Sequence, residues 1–296
     1  WMALGPDNKL KEFMFPEFSV NVVTRLEVQG KLRPDNVWEI KAKGPTYDGK
    51  DLFRSLFNVG QLTDRPIAPS KEKAGLELVA EIDNVIGYAE TSLRGVRAKV
   101  ARRNDKLTAL DVRAMHDGGK PFAAELRTEG AGRRLLARSA DAGQTLRIVG
   151  FYPNAIGGQL ELEANLDAKG AADKTGLLRV DQFAVLGDPI VSEVLQSSDS
   201  GQPAISKRGQ KRVVRERIEF DRLRVPFSIG FGQFVMNDAA ISGPLIGATI
   251  QGKVDFKSRT LDVGGTYVPL SGINSAVGAI PVLGQLLAGP KGEGVF

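Results

Sequence analysis

Between Gln159 and Ala168 apolar and polar residues alternate one by one. Leu160, Leu162, Ala164 and Leu166 fall on one side of an extended chain, and Glu161, Glu163, Asn165 and Asp167 on the other. A period of two marks a β-strand with one dry and one wet face. The alternation returns around Lys253, Asp255 and Lys257, which oppose Val254 and Phe256, and past the turn at Ser258-Arg259 it continues with Leu261 and Val263. Similar runs predict strands over 19–32, 36–44, 76–86, 91–102, 107–116, 122–128, 133–139, 176–186 (with Leu178 and Val180 on its dry side), 218–229 and 234–243. Short helices punctuate this meander. The segment 48–57 opens on a capping aspartate, Asp48, and groups Leu52, Phe53, Leu56 and Phe57. Segments 141–149 and 188–195 have the same form, the latter with Pro189 at the first helical position. Each follows a hairpin, so a unit of strands with one capping helix repeats along the chain. The predicted fold is mainly β: an elongated antiparallel sheet, with a few short capping helices.

One stretch departs from the alternation. Val263 to Pro290 carries no charged residue although a quarter of the chain is charged, and Gly264, Gly265, Pro269, Gly272, Gly278, Pro281, Gly284 and Gly289 interrupt it. A membrane-spanning helix needs about 20 predominantly apolar residues, and Pro281 would break one near its middle. The stretch reads as strand, turn and short helix, with Ile273, Val277 and Ile280 at helical spacing and Leu283, Leu286 and Leu287 beyond the proline. Such a helix either seals the end of a sheet or meets lipid at a membrane surface.

Composition narrows the chemistry. The chain has 296 residues with 34 glycines, no cysteine and one histidine. Disulfides, thiolate metal sites and cysteine nucleophiles are excluded, and most histidine-based triads and metal sites go with them. His116 precedes Asp117-Gly118-Gly119-Lys120, a hairpin-turn composition, and reads as a solvated turn residue. No GxSxG, P-loop, HExxH, dinucleotide or EF-hand pattern occurs, and strand alternation alone accounts for Glu161, Glu163, Asp167 and Asp255. The reading is of a protein that is not an enzyme, with no cofactor and no metal site. Net charge is +5, and the basic residues cluster in Lys207, Arg208, Lys211, Arg212, Arg215 and Arg217, opposed only by Glu216. This run reads as a solvated loop or as a contact for anionic headgroups; no aromatic residue interleaves with it, which argues against nucleic acid. It lies in or beside the second of two loop-like stretches, 63–73 and 197–212, which divide the chain into blocks 1–61, 75–196 and 213–296, although a continuous sheet can pass across both. Trp1-Met2-Ala3 lacks a basic region leading into an apolar run, and Gly292 to Phe296 stops on a rising apolar pattern, so the expectation is a piece of a longer protein, truncated at its end.

Two groups of residues carry a family resemblance. One runs from Ser139-Ala140-Asp141-Ala142-Gly143-Gln144-Thr145-Leu146-Arg147 through Gly150-Phe151-Tyr152 and Gly157-Gly158-Gln159-Leu160 to Asp181-Gln182-Phe183. The other comprises Ile241-Ser242-Gly243-Pro244, Gly252-Lys253-Val254-Asp255-Phe256, Gly265-Thr266-Tyr267-Val268-Pro269, Gly278 to Gly284, and Gly292 to Phe296. Together they resemble the C-terminal region of YhdP-type envelope proteins in the AsmA-like superfamily, more distantly related to TamB, over roughly residues 75–296. The resemblance implies a periplasmic protein of a Gram-negative bacterium, held in the inner membrane by a helix outside this chain. It implies a repeating β-groove, a trough with an apolar interior that carries phospholipid between inner and outer membranes. The groove lining would be Leu160, Leu162, Leu166, Leu178, Val180, Val254, Phe256, Leu261 and Val263, with Ile273, Val277, Ile280, Leu283, Leu286 and Leu287 forming a groove-end helix. Lys207, Arg208, Lys211, Arg212 and Arg215 would contact headgroups at a membrane surface, and other envelope proteins are further partners. The alternative is a structural or interaction module in cell-envelope or outer-membrane assembly, with a filled core under the same alternation.

Overall fold

The computed structural model describes residues 1–57, 74–103, 106–130, 132–167, 174–189, 217–230, 233–255, 258 and 260–269. These form strands β1 (Met2–Leu4), β2 (Leu10–Phe18), β3 (Arg25–Leu32), β4 (Val37–Asp48), β5 (Gly75–Ile86), β6 (Ser92–Arg103), β7 (Lys106–His116), β8 (Pro121–Glu129), β9 (Gly132–Ser139), β10 (Ala155–Asn165), β11 (Lys174–Leu186), β12 (Arg217–Gly230), β13 (Gln233–Ser242), β14 (Ile246–Asp255) and β15 (Thr260–Pro269), with helices α1 (Lys50–Phe57) and α2 (Ala142–Ile148). All 15 strands belong to one sheet, in sequence order from β1 to β15. The sheet is long, curved and unclosed. At about 4.8 Å per strand its long axis spans roughly 65 Å.

Hairpins build nearly all of it, as the alternating runs require. The exception is the parallel pairing of β4 with β5, with Trp38 opposite Leu76 and Ile40 opposite Leu78. A parallel pair needs a crossover to bring the chain back, and α1 lies in that connection. The sheet continues past both loop-like stretches, since β4 pairs with β5 and β11 with β12.

Curvature has a visible cause. Gly95, Gly158, Gln182 and Asp238 adopt positive φ, and near them alternation breaks, so that residues three apart point the same way. Ile82 with Val85, Leu93 with Val96, Val180 with Phe183, and Met236 with Ala239 are all buried. Such irregularities add twist and bend a strand, and repeated across neighbouring strands they bend the sheet.

Both helices dock on the same rim. Ile148 of α2 and Phe53 of α1 join Leu26, Ile82, Val85, Leu93, Val96 and Ala114 in one apolar cluster; Ala142 of α2 joins Leu160, Val180, Phe183, Ile218 and Phe220 in a second. α2 lies across the strand ends. Its Gly143 is packed so closely on Ala155 and Ile156 of β10 that an added Cβ would sit 2.6 Å from the Ala155 carbonyl oxygen, while the Ile148 carbonyl accepts from the Tyr88 amide in the β5–β6 loop at 3.0 Å. Asp141 caps α2 by accepting from the Gln144 amide at 2.9 Å.

Several sequence expectations need correction. The segment 19–32 is not one strand: Asn21, at φ 67°, accepts from the amides of Val23 and Thr24, and this side-chain turn separates β2 from β3. β1 and β2 lie in a region the alternation left unread. β10 begins at Ala155, before the glycines that obscure its pattern. Leu52 does not share the buried face of Phe53: it is 49% exposed, whereas Phe53 is 8% exposed. Beyond Pro189 the helix expected at 188–195 falls outside the described residues.

Candidate functional site

The face that receives the helices carries the candidate site. Register assigns side chains to it, since directly paired residues point the same way. From β2 to β5 the pairs Phe15–Val28, Val28–Ala42, Ile40–Leu78 and Ala42–Ala80 run across it; from β9 to β12 it continues through Ala137–Leu162, Leu162–Leu178 and Leu178–Val225, and at β13 to β15 through Phe234–Val254 and Val254–Leu261. The opposite face is charged. It holds cross-strand ion pairs such as Arg222–Asp181 at 2.7 Å and the cluster in which Glu77 receives Arg33 at 3.0 Å and Arg103 at 2.6 Å. Val79, Leu136 and Leu177 are apolar exceptions on that outer side, and a shallow cavity of about 210 Å³ there is lined mostly by charged and polar groups, including Glu27, Lys41 and Glu81.

Along each strand the inner face changes character. Near the helices it is a filled core, with Val180 and Ala142 at 0% exposure. Toward the other rim, where neither helix reaches, its apolar side chains are only partly buried: Phe13, Val28, Leu78, Val100, Leu126, Leu162, Leu178, Val225 and Phe234 all keep some contact with solvent. Aromatic rings flatten this strip. Phe13 lies over Gly30 and Phe227 over Gly176, so near that an added Cβ would be 2.3 and 2.2 Å from the ring, and Phe227 stacks on Phe234 with centroids 5.3 Å apart. The result is an apolar strip, continuous across the sheet and open along one long edge.

The sequence-derived lining residues divide between these zones. Leu160 (6% exposed) and Val180 (0%) belong to the core beneath α2 rather than to an open lining, because the helix covers that part of both strands. Leu162, Leu178 and Val263 lie on the partly exposed strip, as does Leu166 just past β10. Val254 is on the same face at 8% exposure, opposite Leu261. Phe256, the segment from Ile273 to Leu287 and the basic run Lys207 to Arg215 lie outside the described residues. Phe13, Phe15, Trp38 and Phe227 on the inner face were missed. Proline obscures alternation in β2, and the ring-over-glycine pairings become visible only once register is known.

Two polar clusters position the rims. At the helix rim His116 is buried, 1% exposed, not a solvated turn residue. It ends β7 on the inner side, opposite Leu93, with Nε2 2.9 Å from Thr145 Oγ1 of α2 and its ring edge-on to Phe122. The hairpin turn itself forms as expected, with Gly118 and Gly119 at positive φ. Thr145 Oγ1 also reaches Ser139 Oγ at 2.7 Å and the Asp141 carbonyl at 2.9 Å. Burial pushes the His116 pKa down, against the pull of Asp141 and Asp117 and with the help of Lys120 and Arg147. Burial pushes the Asp141 carboxyl up, but the Gln144 amides and the Lys120 ammonium at 2.9 Å outweigh it and hold it below the ordinary value. A buried imidazole beside a hydroxyl has the parts of a nucleophilic pair, yet both are sealed under α2, and the network ties that helix to the sheet. Burial and the hydrogen bond to Asp188 at 2.6 Å together raise the Tyr152 pKa. At the open rim, the Arg133 side chain and backbone amide hold Asp167, whose pKa is lowered to about 2 by the Arg133 hydrogen bond. Comparison with protein-family models, with curated proteins and with solved structures gave no match.

Proposed function

We propose that this chain is a segment of a periplasmic lipid-transfer protein of the YhdP-type, AsmA-like kind, which shields phospholipid acyl chains between inner and outer membranes without catalysing a reaction. One observation carries the reading: an apolar strip, partly exposed, continuous across the sheet and open along one edge, backed by a charged outer face. Moving a two-chain lipid through water exposes some 30 methylenes at about 0.8 kcal/mol each, so unshielded transfer is prohibitively slow. A surface that keeps the chains dry while its other face remains in water removes most of that barrier. The filled core beneath α1 and α2 favours a second reading, a structural or interaction module of the envelope, for that rim.

The test is cargo. Protein purified without detergent should yield phospholipid on extraction and mass spectrometry. Leu162→Glu, which places a carboxylate on the partly exposed strip, should reduce that lipid severalfold while leaving the circular dichroism spectrum unchanged. Native protein that is stable, monodisperse and free of lipid, and that takes up none from vesicles, would overturn the proposal in favour of the structural module.

A further inference from the structure

One face of α2 meets the sheet at three points. Ala142 joins Leu160, Val180 and Phe183, Ile148 joins Val85, Leu93 and Val96, and Thr145, three residues from each, meets His116 with Oγ1 2.9 Å from Nε2. Only the central contact can take up a proton. His116 is 1% exposed, and its Nδ1 has no hydrogen-bond partner among the described residues. A neutral ring therefore leaves one buried polar atom unanswered. A protonated ring turns both nitrogens into donors and leaves a cationic N–H without an acceptor, which costs far more. The charged groups that face the ring are Asp141 and Arg147 from the helix side and Asp117 and Lys120 from the β7–β8 turn. Both carboxylates are already engaged, Asp141 by Lys120 at 2.9 Å and Asp117 by Arg94 at 2.8 Å, and Arg147 adds a positive charge. Burial and surroundings together keep the docked ring neutral.

We infer that α2 is an acid-released cover on the groove: protonation of His116 undocks the helix from the strand ends and bares the apolar floor beneath it. The fold allows the movement. Residues 141–153 lie between β9 and β10, and these two strands pair directly, from Leu160 opposite Ser139 to Asn165 opposite Arg134, so the segment can swing away with the strand pairing kept. Two further ties of the helix, from the Gln144 amide to the Asp117 carbonyl at 3.1 Å and from the Tyr88 amide to the Ile148 carbonyl at 3.0 Å, are single hydrogen bonds to turns. Once α2 is released, Leu160 and Val180 join Leu162 and Leu178 as open surface, and the strip widens there by two residues of strand, about 7 Å. The open state returns the imidazole to water, where it protonates near its ordinary 6.5. Opening therefore takes up a proton and grows as pH falls below about 6.5. The release stands on the His116 geometry alone; its consequence for cargo rests on the lipid-transfer reading.

The experiment follows α2 in the whole chain by hydrogen exchange of the Thr145 and Val149 amides, which bond to the Asp141 and Thr145 carbonyls, and follows the single histidine by NMR titration. Corrected for the intrinsic pH dependence of exchange, the opening constant of these amides should rise about five- to tenfold from pH 7.5 to 5.5. It should depend only weakly on added urea, the mark of opening short of global unfolding. In His116→Gln the rise should vanish. Gly87→Ala, which pushes on Ile148 rather than on His116, should open the helix at pH 7.5 and move the histidine midpoint up toward 6.5; it serves if the glutamine variant does not fold. An opening constant indifferent to pH in the native protein, one as urea-dependent as the β11 and β12 amides, or a midpoint unmoved in Gly87→Ala with the helix open overturns the acid release. The native protein should also take up severalfold more phosphatidylcholine, whose headgroup does not titrate in this range, from vesicles at pH 5.5 than at pH 7.5, and His116→Gln equal amounts. Equal uptake by native protein whose helix opens overturns α2 as a cover of the groove; uptake at neither pH overturns lipid transfer and leaves the acid release standing.

Discussion

Val180→Thr and Val225→Thr make the same chemical change at two inner-face positions on neighbouring strands, and the structure assigns them different costs. Valine and threonine are isosteric and have similar strand preferences, so backbone and volume effects cancel. Val180 is 0% exposed, beside Leu160 and Leu223 and in a cluster whose other fully buried members are all apolar. A hydroxyl there has no partner, and burying one costs about 1–3 kcal/mol. Val225, opposite Leu178, is only partly buried on the open strip, where a hydroxyl keeps contact with water and costs at most about 0.5 kcal/mol. Native-state hydrogen exchange of the β10–β12 amides reads the difference locally: about 2 kcal/mol accelerates the most protected amides roughly thirtyfold, and about 0.5 kcal/mol only about twofold. In the lipid-loading assay the order reverses, with Val225→Thr weakening retention and Val180→Thr leaving it unchanged. Equal acceleration by both variants would mean that the strip is as dry and filled as the core beneath α2, and the open groove would have to be abandoned.

Three further outcomes follow from named contacts. The folded pKa of His116 lies below its ordinary value near 6.5, so the unfolded chain takes up the proton first and stability should fall as pH drops below about 6.5; because His116 is the only histidine, His116→Gln should flatten urea-midpoint curves between pH 5 and 6.5, and an unaltered slope would refute its burial. Gly87→Ala drives a methyl group into Ile148, whose carbonyl oxygen would lie 2.5 Å away, and should undock α2 at a cost of about 1–3 kcal/mol, seen as selective loss of protection at the helix rim in hydrogen exchange. Asp167 titrates from about 2 when folded, so its pairing with Arg133 stabilises above the ordinary carboxylate range and is lost as pH falls toward 2; Asp167→Asn should remove the part of the acid-unfolding slope that the native protein shows between pH 4 and 2.

Local alternation made most of this molecule legible before any coordinates. The period of two located the runs that became β5 to β9 and β11 to β13, although not the irregularities that shift the face within β5, β6, β11 and β13, and Asp48 and Asp141 marked the helix starts because a short carboxylate satisfies helix-end amides. Where a turn is closed by a side chain, as at Asn21, or where a proline sits inside a strand, as at Pro16, alternation carried no usable signal and the boundaries shifted. The inner-face assignment of Leu162 and Leu178 was determined by the sequence, since strand geometry sends alternate residues to opposite faces whatever the fold. What only the tertiary structure decided was depth: Leu160 and Leu162 are identical in type and pattern, yet α2, folded back across the strand ends, covers one and leaves the other partly exposed. The same holds for His116, which a hairpin composition places in solvent and a helix packed across the strand ends takes out of it. Burial is a non-local quantity, set by what another segment lays over a face, and a one-dimensional pattern records the face without its cover.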